Sequence, residues 1–574
     1  MKAFDAYREW LNSSFLDEQT RAELRAISDQ PEEIHERFYK HLEFGTAGLR
    51  GELGAGINRI NRYTVRRATE GLARHIAALG DVAKERGVVI AYDSRRLSPE
   101  LALEAACTLA GNGVRSYLFQ KLCPTPVLSY AVRELGAQAG IVITASHNPP
   151  AYNGYKVYGA DGGQIVAAHA DEIQSEIEQV RSLDEVHFCT AKEAEAAGLL
   201  CWINEELEAR YLEQLQTLCL NREAIADVAS QLKIVYTPLH GTGNRPVQRI
   251  LREVGFTKVY VVPEQALPDP EFSTCKQPNP EEEGAYALAI PIADRIGADL
   301  IIATDPDCDR VGMAVRNADG DFVRLTGNQI GALLLYYLLT EQKKRNLLPN
   351  GATMIKTIVT SELGRAVAES FGVEVIDTLT GFKYIAEQMR HLEAKRERMF
   401  VFGYEESCGF LSAPFVRDKD AVMATMQLCE MAAYYQCKDI SLYEALQAIY
   451  QEYGYYKEQH LSLTRIGRHG SAEIQEILKT WRLAPPDFIA GQQVTEYRDF
   501  QSGVVQDVRA GTETKLNFPK ADVLHYTLAD GSWFCLRPSG TEPKLKVYLA
   551  VCGASSTEAD EKLNQLVQAV KANL

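Results

Sequence analysis

The sequence of 574 residues lacks a long apolar segment. Its longest apolar run, residues 330–339, is much shorter than the ~20 residues that cross a bilayer. We therefore expect a buried helix there and no membrane partner. The first residues, MKAFDAYREWLNSS, carry charges throughout, so we do not expect a secretory signal.

Paired cysteines are also missing. Twelve cysteines are present, but no two of them form a C-x-x-C motif. The sequence therefore signals neither a zinc site nor a redox dithiol. Scattered cysteines in a long chain are typical of small buried side chains in a reducing compartment, which predicts a cytoplasmic protein.

Basic residues are outnumbered, with 61 Lys and Arg against 77 Asp and Glu and a net charge of −16. An acidic surface repels phosphate backbones, so we do not expect nucleic acid as the main partner. A small anionic substrate stays possible, because a local cluster of basic groups can outweigh the average charge. The 46% of hydrophobic residues can build several cores, which excludes a disordered chain.

Short apolar runs alternate with amphipathic segments along most of the chain. Residues 88–92 predict a strand and Ser98 begins a helix, an order that recurs further along. This alternation predicts α/β units with functional loops at the strand ends. Soft boundaries near 205, 320 and 455 predict four domains, at residues 1–205, 206–320, 321–455 and 456–574.

The first loop of chemical interest follows a predicted strand and reads T-A-S-H-N-P-P, residues 144–150. The proline pair stops the strand and stiffens the loop, so that Ser146 is displayed at the strand end. A hydroxyl is a weak nucleophile without help, and Lys156 lies ten residues further on. We do not expect His147 to face its neighbour Ser146. An ordinary Ser/Asn/Pro turn is the alternative.

The second loop reads D-P-D-C-D-R, residues 305–310, again after an apolar strand. Asp305, Asp307 and Asp309 would repel one another unless a cation gathered them. Their hard oxygen ligands suit Mg²⁺ or Ca²⁺. An EF-hand is excluded, because its sixth position would be Arg310 and not glycine. A solvated acidic turn is the alternative to a metal site.

The third loop reads G-Y-E-E-S-C-G, residues 403–409. Glu405 and Ser407 offer acceptors and a donor to a polyhydroxyl ligand, although a helix cap is the simpler alternative. The sequence R-D-K-D at 417–420 would by itself be a solvated charged turn.

The fourth loop reads R-P-S-G-T-E-P-K, residues 537–544, between two predicted strands. A guanidinium binds phosphate oxygens in bidentate fashion, and glycine lets backbone amides converge on an anion. Arg537 and its loop therefore predict a phosphate site, with a plain β-turn as the alternative.

Together these loops resemble the α-D-phosphohexomutase family, and within it the phosphoglucomutase branch. In the order given, they are similar to its phosphoserine, metal, sugar-binding and phosphate-binding loops. F-G-T-A-G-L-R at 44–50 and T-G-F-K at 380–383 bring the matches to six, in family order across most of the chain.

The resemblance implies an α/β fold with three related modules and a smaller C-terminal α+β domain around a central cleft. It also implies that Ser146 transfers a phosphoryl group between glucose 1-phosphate and glucose 6-phosphate through glucose 1,6-bisphosphate. Mg²⁺ bound by Asp305, Asp307 and Asp309 would coordinate the Ser146 phosphate. A hexose phosphate is the expected partner, and the protein is expected to be a monomer or a weak homo-oligomer.

The resemblance further assigns roles to basic and polar side chains. Arg50 and Arg310 would add positive charge around the transferring group. Lys419, with Lys156 close by, would be the acid/base, because Gly409 stands where some relatives have His. The expected substrate contacts are Thr46, Arg50, His147, Lys156, Arg310, Thr380, Gly381, Glu405, Ser407, Lys419, Arg537, Ser539, Gly540 and Thr541.

Other activities stay open at this point. A preference for mannose or pentose phosphates would make the protein a phosphomannomutase or phosphopentomutase. A glucose-1,6-bisphosphate synthase would use another phosphoryl donor. A sugar-phosphate-binding regulatory protein would bind without turnover.

Overall fold

The computed structural model describes residues 3–45, 48–465, 470–539 and 544–574. The chain begins with three helices, α1 (Ala3–Asn12), α2 (Glu18–Ala26) and α3 (Pro31–Phe38). Trp10 of α1 packs its ring edge against Phe38 and Tyr63, which fixes these helices to the module that follows. No helix in the described parts of the chain is both long and apolar enough to cross a membrane.

The first module is a six-stranded sheet with strand order β1-β5-β4-β2-β3-β6. The strand Val88–Tyr92, near the middle of this sheet, is buried at every residue. Val88 and Ile90 lie in one hydrophobic core, and Val89 and Ala91 lie in another. Successive side chains of a strand point to opposite faces, so helices cover both sides. The elements are β1 (Gly48–Glu52), α4 (Arg62–Ala78), α5 (Asp81–Arg86), β2 (Val88–Tyr92), α6 (Ser98–Gly111), β3 (Ser116–Phe119), α7 (Thr125–Glu134), β4 (Ala139–Ile143), β5 (Tyr152–Gly159), α8 (Ala167–Gln179), α9 (Ala191–Ala196) and β6 (Leu200–Ile203).

The second module has the strand order β11-β10-β9-β7-β8. The turn at 317–320, near which we predicted a boundary, joins the antiparallel pair β10 and β11, so this sheet continues to Arg324. The antiparallel pairing of β10 with β11 therefore favours a domain boundary after Arg324. The elements are α10 (Glu205–Gln216), α11 (Arg222–Val228), β7 (Ile234–Thr237), α12 (Asn244–Val254), β8 (Val259–Val261), α13 (Pro263–Ala266), α14 (Ala289–Ile296), β9 (Leu300–Thr304), β10 (Val311–Arg316) and β11 (Phe322–Arg324).

The third module has the strand order β13-β12-β14-β15. The apolar run at 330–339 lies in its first helix and is almost wholly buried, as predicted. The elements are α15 (Gly327–Lys344), β12 (Ala352–Thr357), α16 (Glu362–Ser370), β13 (Glu374–Thr378), α17 (Phe382–Lys395), β14 (Met399–Glu405), β15 (Gly409–Leu411), α18 (Ala421–Gln436) and α19 (Leu442–Tyr453).

The three modules share one arrangement around their chemical loops. In each, parallel strands end in an antiparallel hairpin, formed by β4 and β5, by β9 and β10, and by β14 and β15. The serine, aspartate and glutamate loops occupy these three hairpin turns. Each turn contains one residue with a left-handed backbone, Ser146, Cys308 or Cys408, with φ of 52°, 54° and 61°. The predicted set of three related modules is confirmed.

The C-terminal domain differs, because its sheet is antiparallel, with the order β16-β23-β22-β21-β18-β19-β20 and β17 beside β18. One face packs against α20 and α21, and the other meets Ile358, Val359 and Leu379 of the third module. The predicted α+β domain is confirmed. Its elements are β16 (Tyr455–Thr464), α20 (Gly470–Leu483), β17 (Phe488–Ile489), β18 (Gln492–Asp499), β19 (Val504–Asp507), β20 (Thr512–Lys515), β21 (Leu524–Leu528), β22 (Trp533–Pro538), β23 (Lys544–Gly553) and α21 (Ser556–Ala572).

Candidate active site

Ser146 lies in the hairpin turn of the first module and is 3% exposed. Its hydroxyl donates a hydrogen bond of 2.6 Å to Asp305 Oδ2, so two loops 159 residues apart in sequence meet at one point. His147 Nδ1 lies 3.2 Å from the same hydroxyl oxygen. Our expectation that His147 would not face Ser146 was wrong, because the left-handed backbone at Ser146 turns the two side chains to the same side.

The aspartate loop brings together three buried carboxylates, Asp305, Asp307 and Asp309. One ligand oxygen from each lies within 4.8 Å of the others. Among the described residues, Oδ1 of Asp307 and Oδ1 of Asp309 have no hydrogen-bond partner, although both atoms are buried. A buried anionic oxygen without a partner is costly, and a divalent cation would satisfy both atoms. The triad can therefore hold a metal ion.

The electrostatics of the triad point the same way. Burial, with the charges of Asp307 and Asp309, raises the pKa of Asp305 well above its ordinary value. This shift measures how strongly the site disfavours a third negative charge when only protein groups are present. A divalent cation among the carboxylates would remove that penalty.

Two lysines approach the triad from different modules. Lys156 Nζ, on β5, lies 2.8 Å from Asp307 Oδ2 and 3.5 Å from Asp309 Oδ2. Lys419 Nζ lies 3.2 Å from Asp309 Oδ2 and 3.2 Å from Asp418 Oδ1. Burial by itself would lower the pKa of Lys419, but Asp309, Asp418 and Glu405 outweigh it and raise the pKa, so its ammonium stays charged.

The R-D-K-D segment is buried, and its interpretation as a solvated turn was wrong. Asp418 accepts a 2.7 Å hydrogen bond from the Tyr158 hydroxyl. Asp420 caps the N-terminus of α18 and accepts 2.7 Å bonds from the Tyr211 hydroxyl. Tyrosine hydroxyls and a helix amide bind these carboxylates, and the two tyrosines lie far from the four residues in sequence.

Gly409 leaves the space that Lys419 occupies. A Cβ atom at Gly409 would lie 2.2 Å from Cδ and 2.7 Å from Cγ of Lys419. Heavy atoms cannot approach so closely, so a side chain at 409 and this path of Lys419 exclude each other. The glycine at position 409 is therefore a physical requirement of the Lys419 arrangement.

The G-Y-E-E-S-C-G loop and the T-G-F-K loop meet at Glu405. The Gly381 N–H donates a 2.8 Å hydrogen bond to Glu405 Oε1, at the start of α17. Ser407 and Thr380 are both half-buried beside this contact. Burial raises the pKa of Glu405, while Lys419 and Arg310 oppose the rise. Of these predicted residues, the structure brings Gly381 and Glu405 into direct contact.

Arg310 and Arg50 also reach the site. Arg310 Nη1 pairs with Glu281 Oε1 at 2.7 Å, and its Nε lies 3.9 Å from Asp309 Oδ1. Arg50 Nη1 donates to Asn148 Oδ1 in the serine loop at 3.3 Å. Sequence reasoning missed Glu281. The only signal was an acidic run beside prolines at 279–283, which would suit many surface turns.

The fourth loop contributes a basic cluster. Arg537, half-buried on β22, has Nη1 3.5 Å from the Tyr548 hydroxyl. Burial and the charge of Arg537 lower the pKa of Lys383 to about 8 and also lower that of Lys546. Sequence reasoning named Lys383 only as the last residue of the T-G-F-K motif, without a role, and missed Lys546. Ser539 N–H donates to Lys544 O at 2.7 Å, whereas Gly540, Thr541 and Thr46 lie outside the described residues.

Sequence reasoning also missed Arg95, which supports the backbone of the serine loop. Arg95 is buried and donates hydrogen bonds to the backbone carbonyls of four residues, Ser146, Asn148, Pro149 and Tyr152. The signal was the charged sequence D-S-R-R at 93–96, directly after the buried strand β2.

Four family models match consecutive parts of the chain. The models for the phosphoglucomutase/phosphomannomutase alpha/beta/alpha domains I, II and III match residues 41–184, 209–320 and 326–453. The model for the C-terminal domain matches residues 486–567. The chain belongs to the phosphoglucomutase/phosphomannomutase family. The resemblance seen in the loops is confirmed.

Curated members of the phosphoglucomutase/phosphomannomutase family align over nearly the whole chain. A protein named phosphoglucomutase from Staphylococcus aureus is 37% identical over 545 residues, covering 94% of this chain and 95% of the relative. Another of that name, from Staphylococcus epidermidis, is 37% identical over 537 residues, covering 93% and 95%.

Solved structures of family members share the fold at low sequence identity. A putative phosphomannomutase from Thermus thermophilus has a TM-score of 0.68 at 21% identity, covering 93% of this chain and 99% of that one. The open form of parafusin from Paramecium, described as a phosphoglucomutase, has a TM-score of 0.65 at 18% identity, covering 93% and 94%. At these identities the likeness establishes the four-domain fold of the family.

Proposed function

We propose that this family member is a phosphoglucomutase, which interconverts α-D-glucose 1-phosphate and glucose 6-phosphate. The observation that carries the proposal is the contact between the Ser146 hydroxyl and Asp305, 2.6 Å apart, beside a triad that can hold a metal. The names of the Staphylococcus relatives support glucose as the sugar. Ser146 would carry the phosphoryl group, and glucose 1,6-bisphosphate would be the intermediate.

The metal in this proposal is Mg²⁺, held by Asp305, Asp307 and Asp309 with the phosphate on Ser146. When bound, it would supply positive charge to the phosphoryl oxygens. Arg50, Arg310 and Lys156 would add charge from the protein side, since phosphoryl transfer depends mainly on positioning and charge neutralisation.

The proposal assigns a side chain to each proton that moves during the transfer. Ser146 donates its hydroxyl hydrogen to Asp305 Oδ2, and His147 Nδ1 lies 3.2 Å from the same hydroxyl oxygen, where it can accept that hydrogen in the tautomer protonated at Nε2. Burial, with Arg310 and Arg50 nearby, holds the pKa of His147 well below its ordinary value, so its imidazole is neutral. Lys419, kept charged by its carboxylates, would protonate the sugar oxygen that leaves when Ser146 receives a phosphoryl group.

The residues that hold the substrate differ from those that act on the transferred phosphoryl group. Glu405, with Ser407, Thr380 and Gly381 beside it, would bind sugar hydroxyls in either ring orientation. Arg537, with Ser539, Gly540 and Thr541, would hold the phosphate that is not transferred. Binding energy at that end orients the reacting end of the substrate.

A turnover panel tests the proposal. The purified protein is given glucose 1-phosphate, mannose 1-phosphate or ribose 1-phosphate, with Mg²⁺ and with or without glucose 1,6-bisphosphate. We expect glucose 6-phosphate to form fastest, with stimulation by the bisphosphate. Faster mannose or ribose turnover would replace glucose in the proposal, and net bisphosphate synthesis would indicate a synthase.

The role of Ser146 is tested with a matched pair of variants. Ser146→Ala should abolish turnover and the gain of one phosphoryl group in intact mass, while Ser502→Ala, in the C-terminal domain, should change neither. Substrate binding without any turnover by the unmodified protein would identify the regulatory alternative. Near-normal turnover by Ser146→Ala would refute the phosphoserine.

A further inference from the structure

Both backbone polar groups of Ser146 are held by side chains outside the site's chemistry. The Ser146 N–H donates a 2.7 Å hydrogen bond to Thr144 Oγ1. The Ser146 carbonyl accepts a 2.5 Å bond from Arg95 Nη2. A left-handed backbone is unfavourable at a non-glycine residue, so surrounding contacts must impose the φ of 52° found here.

Arg95 holds the whole turn. Besides Ser146, its guanidinium donates to the carbonyl of Asn148, to that of Pro149 at 2.9 Å and to that of Tyr152 at 3.0 Å. Its side chain is fully buried. A planar fork of five N–H donors can serve carbonyls in several directions, which a lysine ammonium cannot reproduce.

Asp93 ties Thr144 and Arg95 together. Its Oδ2 accepts a 2.6 Å bond from the Thr144 hydroxyl and lies 3.4 Å from Arg95 Nε. Its Oδ1 accepts bonds from the Arg95 N–H at 3.0 Å and the Ser98 hydroxyl at 2.8 Å. The Thr144 hydroxyl uses its hydrogen in the bond to Asp93. The oxygen of that hydroxyl is therefore free to accept the hydrogen bond from the Ser146 N–H.

The second module also contacts Arg95. The guanidinium carbon of Arg95 lies 4.9 Å from the centre of the Phe272 ring. The neighbouring Arg96 pairs with Glu271. Phe272 belongs to the same module as Asp305, so its contact with Arg95 joins the serine loop to the module that carries the aspartates. In the described parts of the chain, the pair of Arg96 and Glu271 does not touch the serine loop through its side chains.

We infer that Arg95, Asp93 and Thr144 are positioning residues, which fix Ser146 in the left-handed conformation that aims its hydroxyl at Asp305. The inference rests on the proposed phosphoserine at Ser146. None of the three side chains contacts the reacting atoms. Their effect is therefore on the transfer step and not on the binding of substrate.

The test uses the full-length protein and four variants, of which Thr144→Ser restores the hydroxyl that Thr144→Val removes. Arg95→Lys keeps the charge but loses the fork, and Thr144→Val keeps the shape but loses the hydroxyl. Arg96→Lys, next to Arg95 but facing Glu271, is the matched control. The readouts are the rate at which dephosphorylated protein accepts a phosphoryl group from glucose 1,6-bisphosphate, followed by intact mass, and kcat and KM for glucose 1-phosphate.

We expect Arg95→Lys to slow phosphoryl uptake about 100-fold, since a 1 Å displacement of a reacting group costs about that factor. Thr144→Val should slow uptake about 10-fold, and Thr144→Ser should restore it, because one hydrogen bond is worth about 1 kcal/mol or somewhat more. KM should change less than about threefold, because the sugar and phosphate loops are intact. Arg96→Lys should match the unmodified protein.

Amide hydrogen exchange of residues 144–152 gives a readout that does not require phosphorylation. The Ser146 amide should be protected in the unmodified protein and in Arg96→Lys, and should exchange faster in Thr144→Val and Arg95→Lys. Normal uptake and normal protection in both variants would overturn the inference. If the unmodified protein accepted no phosphoryl group, the proposed function would fail, whereas the exchange result would still decide the positioning role.

Discussion

Replacing Gly409 by alanine should impair the enzyme through Lys419 alone. The added Cβ would lie 2.2 Å from Lys419 Cδ, well inside the closest approach of two carbon atoms. Gly409 does not have a left-handed backbone, so alanine can adopt its conformation without strain there. The lysine side chain must therefore leave its path, and with it the contact of Nζ with Asp309 at 3.2 Å.

The size of the effect follows from that contact. A hydrogen bond between charged groups contributes roughly 1.5–3 kcal/mol, so kcat should fall about 10- to 150-fold. KM should change little, because the three atoms nearest to the added methyl group all belong to Lys419 and not to Glu405 or Arg537. Conversion of glucose 1-phosphate to glucose 6-phosphate, followed through a coupled dehydrogenase, measures both constants.

Two further variants make the test specific. Gly284→Ala is the control, because a Cβ there meets no atom within 4 Å. The double variant Gly409→Ala, Lys419→Ala should be no slower than Lys419→Ala, since both changes remove the same ammonium. Additive losses in the double variant, or an unimpaired Gly409→Ala, would show that the steric reasoning about Lys419 is wrong.

Three other outcomes are expected. Arg537→Ala should lower kcat/KM about 10- to 150-fold, and equally for glucose 1-phosphate and glucose 6-phosphate, because one charge-assisted bond to the non-reacting phosphate is lost; a loss in one direction only would contradict a shared anchor. Asp307→Asn should weaken the response of turnover to Mg²⁺ in a titration, because one of three carboxylate charges is removed; an unchanged titration curve would remove Asp307 from the metal site. Burial and Arg537 lower the pKa of Lys383 to about 8, so its charge is present below that pH and lost above it; KM for glucose 1-phosphate should therefore rise between pH 8 and 9, and Lys383→Met, already uncharged, should lack that rise.

The sequence by itself determined the four chemical loops and the family. Each loop is a local feature, in which prolines, glycines and closely spaced charges follow an apolar strand, and the strand pattern depends only on neighbouring residues. The alternation of strands and helices predicted the α/β units, and the confirmed plan of three related modules was implied by the resemblance to the family. The catalytic, metal-binding and substrate-binding roles given to the site residues all stay predictions, and Thr46, Gly540 and Thr541 lie outside the described residues.

Only the tertiary structure decided which of these loops meet and what holds them. The contact between Ser146 and Asp305 joins two hairpin turns from different modules, and no local pattern encodes that distance. The burial of Asp418 and Asp420 depends on tyrosines far away in the chain. The space above Gly409 and the support from Arg95 likewise arise only when separate elements pack, because steric exclusion and convergent hydrogen bonds are properties of the assembled fold.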